Sequence, residues 1–164
     1  MEAMHLIIVV SAISGIATAG IAQTASPSAA PACSTVGAWS SAGPGKGVVT
    51  RAADGSTALD FTPGADGDDA VAFVLTIPAK APGTYQLNGD FDVKHLSQEA
   101  KLTLAGADSA IPGREFDVRM APGDDGSSTF SRPVTTTGAP FTVMLRTKGA
   151  AAMVAHGAKL CRLR

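Results

Sequence analysis

The strict alternation of apolar and polar residues in short segments is the feature that most restricts what this chain can fold into. In GTYQLNGDFDVKH, residues 83–95, an apolar row of Tyr85, Leu87, Phe91 and Val93 alternates with polar residues. Successive side chains of a β-strand point to opposite faces of the sheet. This period of two therefore predicts a long strand that is buried on one face and solvated on the other.

Similar alternation recurs along residues 33–164, and helical periodicity is almost absent from them. Residues 71–77 predict a strand that is buried on one face, with an inward row that begins at Val71, and nearly buried on the other face. Only HLSQEAKL, residues 95–102, also allows a single helical turn. Further strands are predicted at residues 47–51, 57–61, 101–104, 115–120, 127–132, 141–145 and 153–163.

Turn-forming clusters of Gly, Pro and Asp separate these segments at short intervals, as in AADGS, APGDDG and TTGAP. About eight or nine short strands joined by such turns are typical of a two-sheet antiparallel sandwich. We therefore predict an all-β fold, a two-sheet antiparallel β-sandwich, for residues 33–164.

The first 22 residues have the composition of an export signal. Residues 6–22 are apolar or small and uncharged, and the small residues at their end predict cleavage after Ala22. A retained membrane anchor is the alternative, although the apolar run is slightly short for a span. Residues 23–32 are rich in Ala, Ser and Pro and predict an extended leader.

The chain has two cysteines, Cys33 and Cys161, which stand 128 positions apart. In an oxidising periplasmic or extracellular compartment two cysteines normally pair. The first and last strands of a sandwich often lie side by side, so a disulfide between these residues would close the domain at its ends. The alternative is a lipidated Cys33, although residues 30–32 lack the leucine that usually precedes such a cysteine.

The charge balance excludes one class of partner. Of the 14 acidic residues, Glu2 lies in the predicted signal, and the remaining 13 match the 13 Lys and Arg residues. A neutral domain without a Lys/Arg cluster argues against nucleic acid or an anionic membrane surface as the partner. We expect a mature form that does not span a membrane.

The order of several short motifs resembles a known group of domains. Gly37-Ala38-Trp39 is followed by DGSTAL at residues 54–59, APGTY at residues 81–85 and a closing segment KLCRL at residues 159–163. This order is similar to that of the galactose-binding-like jelly rolls, which include many carbohydrate-binding modules of secreted bacterial proteins. The resemblance covers about residues 37–163 and implies a jelly-roll sandwich that binds carbohydrate without catalysis.

Two departures from that group remove its structural calcium site from our expectations. Residues 34–36 replace the Asn and acidic residue that often precede the tryptophan, and His156-Gly157 stands where an acidic pair is frequent. The acidic clusters at residues 66–69 and 124–125 do not follow the ligand spacing of an EF-hand and are interpreted as solvated turns. We therefore expect no metal site and no cofactor.

Sugar binding requires an aromatic surface and planar polar groups that recognise hydroxyls. The candidate ligand-binding residues are Trp39 and, on the polar row of the long strand, Gln86, Asn88 and Asp90. The alternative interpretation is that Trp39 packs in the core or at an edge, and that the polar row is an ordinary solvated face.

No motif with a catalytic mechanism is present, and the histidines His95 and His156 are isolated in sequence. An enzyme would need one of them within hydrogen-bond reach of a carboxylate in a cleft. We therefore expect no enzyme, but an exported binding module for a carbohydrate or a cell-envelope polymer. The alternative is a structural sandwich of the cell envelope whose partner is an envelope protein.

Overall fold

The computed structural model describes residues 32–43, 45–64, 70–78, 80–110, 116–123 and 126–163. The predicted signal peptide, most of the leader and the two acidic clusters lie outside these residues. The described residues form 12 strands and no helix. The strands are β1 (Cys33–Val36), β2 (Ala38–Ser41), β3 (Gly45–Arg51), β4 (Thr57–Pro63), β5 (Ala70–Ile77), β6 (Gly83–Leu96), β7 (Ala100–Ala105), β8 (Asp108–Ser109), β9 (Val118–Met120), β10 (Gly126–Thr136), β11 (Phe141–Thr147) and β12 (Ala151–Arg162).

The strands form two antiparallel sheets, which confirms the predicted sandwich. The seven-stranded sheet has the order β3-β4-β12-β6-β10-β8, with β1 also paired to β12. The five-stranded sheet has the order β2-β5-β11-β7-β9. There are more strands than the sequence predicts because β1, β2 and β8 contain only two to four residues, too few to show alternation.

The core lies between the sheets and is built from the predicted inward rows. Tyr85, Leu87, Phe91 and Val93 of β6 are all buried, whereas the polar residues between them are exposed or half-buried. The predicted one-sided burial of this strand is confirmed. Its 14 residues contact both β10 and β12, so β6 is the central strand of the larger sheet.

The inward row of β5 differs from its prediction. Leu145 of β11 pairs with Phe73, but the next residue, Arg146, pairs with Val71, so Ala72 is an extra residue in a β-bulge. A bulge reverses the facing of the residues beyond it. As a result Val71 is half-buried opposite Arg146, whereas Ala72 and Phe73 are both fully buried.

The helical turn that residues 95–102 allow is not formed. Strand β6 continues to Leu96, and β7 begins at Ala100 after a short bend. The backbone N–H of Ser97 donates to the carbonyl oxygen of Ala150 at 3.0 Å, and the Ser97 hydroxyl donates to the same oxygen at 3.2 Å. These bonds to a neighbouring segment replace the local bonds that a helical turn would use.

The first and last strands are neighbours, as predicted. β1 runs antiparallel to β12, and their register places Cys33 opposite Cys161 with 4.0 Å between the Cα atoms. The two residues form a disulfide, so the predicted pairing is confirmed and no free cysteine remains. The bond ties β1, which has no other strand neighbour, to the larger sheet.

A glycine in β6 allows an aromatic cluster to form in the core. Gly89 is buried, and a Cβ atom there would overlap the ring of Phe130 on the neighbouring strand β10. The Phe130 ring stacks on Phe91 with ring centroids 6.0 Å apart and meets Phe116 edge-on at 6.2 Å. The Phe130 ring therefore occupies the space that a side chain at position 89 would need.

We predict that Gly89→Ala destabilises the fold because the added methyl group displaces the Phe130 ring. Overpacking of this kind typically costs about 1–3 kcal/mol. Urea unfolding followed by tryptophan fluorescence would measure the change. Gly64→Ala is the matched control, since no atom lies within 4 Å of a Cβ built there. Equal stability of the two variants would contradict the packing role of Gly89.

We also predict that Cys33→Ser lowers the melting temperature and leaves Cys161 as a reactive thiol. The disulfide closes a loop of 128 positions, for which the chain-entropy relation gives an upper value of about 5 kcal/mol. Calorimetry with and without a reductant checks this. Titration of the native protein with a thiol reagent should find no reactive thiol, and two reactive thiols would contradict the pairing.

Candidate functional site

Three neighbouring strands of the larger sheet present a continuous polar surface to solvent. The antiparallel register sets Asn88 of β6 beside Ser131 of β10 on one side and Lys159 of β12 on the other. One step along β6, Asp90 lies opposite Thr129. We call this surface the polar face and define it by Gln86, Asn88, Asp90, Asp92, Ser127, Thr129, Ser131 and Lys159.

A hydrogen-bonded chain of three side chains orders the centre of the polar face. Gln86 Nε2 donates to Ser131 Oγ at 2.7 Å, and Ser131 Oγ donates to Asn88 Oδ1 at 2.6 Å. Asn88 Nδ2 in turn lies 3.7 Å from the disulfide sulfur of Cys161. One serine hydroxyl therefore fixes the orientation of both amides, and the disulfide lies against the end of the chain.

The orientation of the amides leaves part of their hydrogen-bonding capacity directed to solvent. A side-chain amide has two N–H donors and an oxygen with two lone pairs. Each amide donates once within this chain, and only the Asn88 oxygen accepts from it. The remaining donors and acceptors, together with the exposed carboxylate of Asp90, are available to a hydroxyl-bearing ligand.

Three of the four predicted ligand-binding residues, Gln86, Asn88 and Asp90, thus lie together on one face. Ser131 was not among the predicted residues, although it links the two amides. The alternation in GSSTFSR predicts its strand, but which strand lies beside β6, and in what register, is set by long-range pairing.

Trp39 lies on the other sheet, although it lines a small cavity of about 10 Å³ together with Asp90. It belongs to β2 in the smaller sheet, points into the core with 6% of its surface exposed, and meets Phe91 edge-on at 5.8 Å. One side of it lines a cleft of about 230 Å³ at the edge of the sandwich, next to Arg51 and Gly157. Its role in ligand binding stays a prediction, because its ring is buried and does not lie on the solvent-facing side of the larger sheet.

All aromatic rings of the chain are buried in the core. The one Trp, the one Tyr and the six Phe residues lie in the described residues, and each is no more than 8% exposed. The Tyr85 hydroxyl donates to the Ala81 carbonyl at 2.7 Å. Core packing, the alternative interpretation of Trp39, accounts for its position, and Tyr85 lies in the predicted inward row.

A histidine–aspartate pair closes one end of the polar face. Between Ala155 and Ala158, β12 carries a β-bulge opposite β6, and Gly157 within it has a φ of +92°. The bulge directs His156 toward β6, where its Nε2 lies 3.0 Å from Asp92 Oδ2. The hydrogen bond to this imidazole is the largest cause that lowers the pKa of Asp92.

This pair meets one of the two conditions for catalysis, and the described cavities do not supply the other. His156 is within hydrogen-bond reach of a carboxylate, but His156 is exposed (43%), Asp92 is half-buried (34%), and neither lines a described cavity. His95 is exposed and has no carboxylate partner among the described residues. The pair is an open surface contact between β6 and β12.

Within the described part of the chain, no group of three or more His, Cys, Asp or Glu residues could hold a metal ion. Among the same residues, no helix is long and apolar enough to cross a membrane.

Comparison with known proteins finds similarity at the level of structure. The chain is similar to the family 11 carbohydrate-binding module from Clostridium thermocellum in complex with a β-1,3-1,4-mixed-linked tetrasaccharide, with 12% identity, a TM-score of 0.46 and coverage of 78% of this chain and 87% of that chain. It is also similar to the module TmCBM61 in complex with β-1,4-galactotriose, with 17% identity, a TM-score of 0.45 and coverage of 76% and 88%.

A third similar structure is the CBM22-1 xylan-binding domain of Paenibacillus barcinonensis Xyn10C, with 14% identity, a TM-score of 0.42 and coverage of 77% of this chain and 86% of that chain. No protein-family model and no curated protein matches the chain. These structures belong to the group that the sequence motifs resemble. Likeness this distant says nothing about what this chain binds.

We predict that the pKa of the Asp92 carboxyl rises when His156 is replaced by Ala, because the hydrogen bond that favours the carboxylate is lost. A carboxyl group whose pKa is lower in the folded than in the unfolded protein stabilises the fold at pH values above its unfolded-state pKa. This stabilisation is lost as the pH falls through the folded-state pKa. Carbon-detected NMR titration of Asp92 in both proteins measures the shift. His95→Ala is the control, and an unchanged Asp92 titration in the His156 variant would contradict the pairing.

Proposed function

We propose that this protein is an exported, non-catalytic binding module whose polar face binds a carbohydrate polymer. The observation that carries the proposal is the chain of hydrogen bonds from Gln86 through Ser131 to Asn88 on an open sheet surface. Its two amides have their orientations set before any ligand arrives. Preorganised groups lose less conformational entropy on binding, which favours affinity.

The chemistry of the face suits neutral hydroxyl groups. Amides offer a donor and an acceptor side by side, and Asp90 adds a carboxylate acceptor. The acidic residues Asp90 and Asp92 are offset on the same surface by Lys159 and by Lys94, whose Nζ lies 3.9 Å from Asp92 Oδ2. A face of mixed charge has no strong attraction for either a polyanion or a polycation.

The shape of the face favours a polymer over a small molecule. Gln86, Asn88 and Asp90 follow one another at every second residue of β6, so they extend over about 14 Å. None of the described cavities is lined by Gln86 or Asn88, and the one that Asp90 lines has a volume of only about 10 Å³. An extended ligand can lie along such a row, whereas a small molecule would remain largely exposed to water.

The burial of every aromatic ring limits the mode of binding. Without a ring on the polar face, recognition depends on hydrogen bonds and lacks the stacking surface that sugar sites commonly use. Each net hydrogen bond contributes only about 0.5–1.5 kcal/mol. We therefore propose that this face binds a polymer weakly.

The same burial favours a second candidate function, a structural sandwich that pairs with a protein of the cell envelope. Against it, the described residues show no large apolar patch, since their exposed large hydrophobic residues are Val48 and Leu163. The polar face is the better supported site because it contains ordered groups with unused hydrogen-bonding capacity.

Location outside the cytoplasm forms part of the proposal. A disulfide such as Cys33–Cys161 persists in oxidising compartments and is rare where thiols are kept reduced. The uncharged small-residue segment at positions 6–22 agrees with export. We place the protein in the periplasm or the extracellular medium.

We predict that the purified protein is retarded on at least one immobilised polysaccharide, peptidoglycan or lipopolysaccharide, and that EDTA does not change this. Asn88→Ala should lower the affinity by roughly fivefold, which corresponds to about 1 kcal/mol for one hydrogen-bonding group. Affinity electrophoresis across a panel of soluble polysaccharides, with pull-down on insoluble peptidoglycan, measures both effects.

Ser131→Ala separates preorganisation from direct contact. It removes the hydroxyl that orients both amides while leaving the amides in place, so affinity should fall without loss of stability. Thr142→Ala on the opposite sheet is the matched control and should bind as the native protein does. Retention on no polymer, or retention unaffected by Asn88→Ala and Ser131→Ala, would remove the polar face and favour the envelope-protein alternative.

A further inference from the structure

The cleft of about 230 Å³ beside Trp39 lies where two strands border the same edge of β12 without meeting. β4 pairs with β12 as far as Ala155, and β1 pairs with it from Ala158 onward. His156 and Gly157 lie between these positions, belong to the bulge of β12 and pair with neither strand. Three residues of an extended strand span about 10 Å, which is long enough for a small organic molecule.

Most of the lining of this cleft is apolar. We call it the edge cleft and define it by Val36, Trp39, Arg51, Thr57, Leu75 and Gly157. Its large apolar residues, Val36, Trp39 and Leu75, are each no more than 6% exposed. Gly157 leaves space beside them, since a Cβ atom built there would meet a single atom, at 3.9 Å. An apolar group in the edge cleft would be removed from water, which favours binding.

Arg51 brings a positive charge to the edge cleft. Among the described residues that line it, Arg51 alone is charged, and its side chain is exposed. Arg51 pairs with Thr57 at the end of the β3–β4 ladder, so both side chains lie on the inner side of the larger sheet. Arg51 makes no hydrogen bond or ion pair with any described residue. Its guanidinium is therefore available to an anion in the cleft.

The carboxylate nearest to Arg51 in sequence, that of Asp54, is held by its own turn. Asp54 Oδ1 accepts from the backbone N–H of Ser56 at 2.9 Å and from the Ser56 hydroxyl at 2.7 Å. Asp54 does not line the cleft. The protein thus leaves the charge of Arg51 uncompensated at a largely apolar surface.

The chemistry of this surface selects a carboxylate. A guanidinium binds a carboxylate through two parallel N–H···O bonds, and one arginine balances its single charge. The hydroxyl of Thr57 has no hydrogen-bond partner among the described residues and is a further donor at the cleft. The apolar lining suits a ligand whose remainder is apolar. The volume lies below the 300–1,000 Å³ of typical drug-sized sites, so the ligand must be small.

We propose that the edge cleft binds a small organic monocarboxylate, with its carboxylate on Arg51 and its apolar part toward Trp39. This site is separate from the polar face and takes a ligand of different chemistry. The same chemistry is present in a free carboxylic acid and in the C-terminal carboxylate of a peptide.

Trp39 is the one tryptophan of the chain, so its fluorescence reports on the edge cleft. The test is a titration of the protein with hexanoate, cyclohexanecarboxylate and N-acetylalanylalanine, each compared with its neutral amide. At least one carboxylate should change the fluorescence saturably at millimolar concentration, and its amide should not. A tighter fit to the dipeptide assigns the site to a peptide terminus, and a tighter fit to the other acids assigns it to a free acid. No response to any of the three would overturn the proposal.

Arg51→Met is the decisive variant because it removes the charge from an exposed residue at the end of an edge strand. We expect carboxylate affinity to fall by roughly tenfold. Arg51→Lys keeps the charge without the paired donors and should restore only part of the affinity. Lys46→Met removes a charge from the same strand outside the cleft and is the matched control. Equal affinity in the folded Arg51→Met and Lys46→Met proteins would refute the site.

Asn88→Ala separates the edge cleft from the polar face. It should weaken binding of polymers and leave the carboxylate affinity unchanged. In an NMR titration with the acid that binds, the shifted backbone signals should belong to residues 35–39, 51–57 and 157–158. Shifts confined to β6 and β10 would instead place the acid on the polar face and contradict the proposal.

Discussion

The register of β6 between β10 and β12 is the constraint on which the rest of the structure depends. Its inward residues supply the centre of the core, and its outward residues supply the centre of the polar face. A slip of one residue would exchange the two sets, exposing Leu87 and Phe91 and burying Asn88 and Asp90. Burial of the apolar row therefore holds the polar row in place, and the stability of the core and the geometry of the face have the same origin.

The pairing of β1 with β12 extends this constraint to the ends of the domain. β12 is the neighbour of β6, and the disulfide attaches β1 to β12 at the position next to Asn88. A covalent bond at this point restricts movement of the strand that borders the polar face. The closure that stabilises the domain against unfolding thus also rigidifies one side of the proposed binding surface.

Irregularities in the strands decide which side chains reach solvent. The bulge in β5 buries Ala72 beside Phe73, and the bulge in β12 turns His156 toward Asp92. In the smaller sheet and beside it, Thr103 and Asp117 each have one buried side-chain oxygen without a hydrogen-bond partner among the described residues. These features cost stability or regularity, and proteins commonly accept such costs at sites of function. The regular part of the sandwich supports them.

The sequence by itself determined the class of fold and the facing of most strands, because alternation with period two is a local property of neighbouring residues. It also predicted the disulfide, since two cysteines allow only one pairing, but it left a lipidated Cys33 as an alternative that the structure decided against. It placed Gln86, Asn88 and Asp90 on one outward row. It could not show that Ser131 joins the amides or that His156 meets Asp92. Those contacts join residues far apart in the chain, and only the order, register and bulges of the folded sheets decide which of them meet.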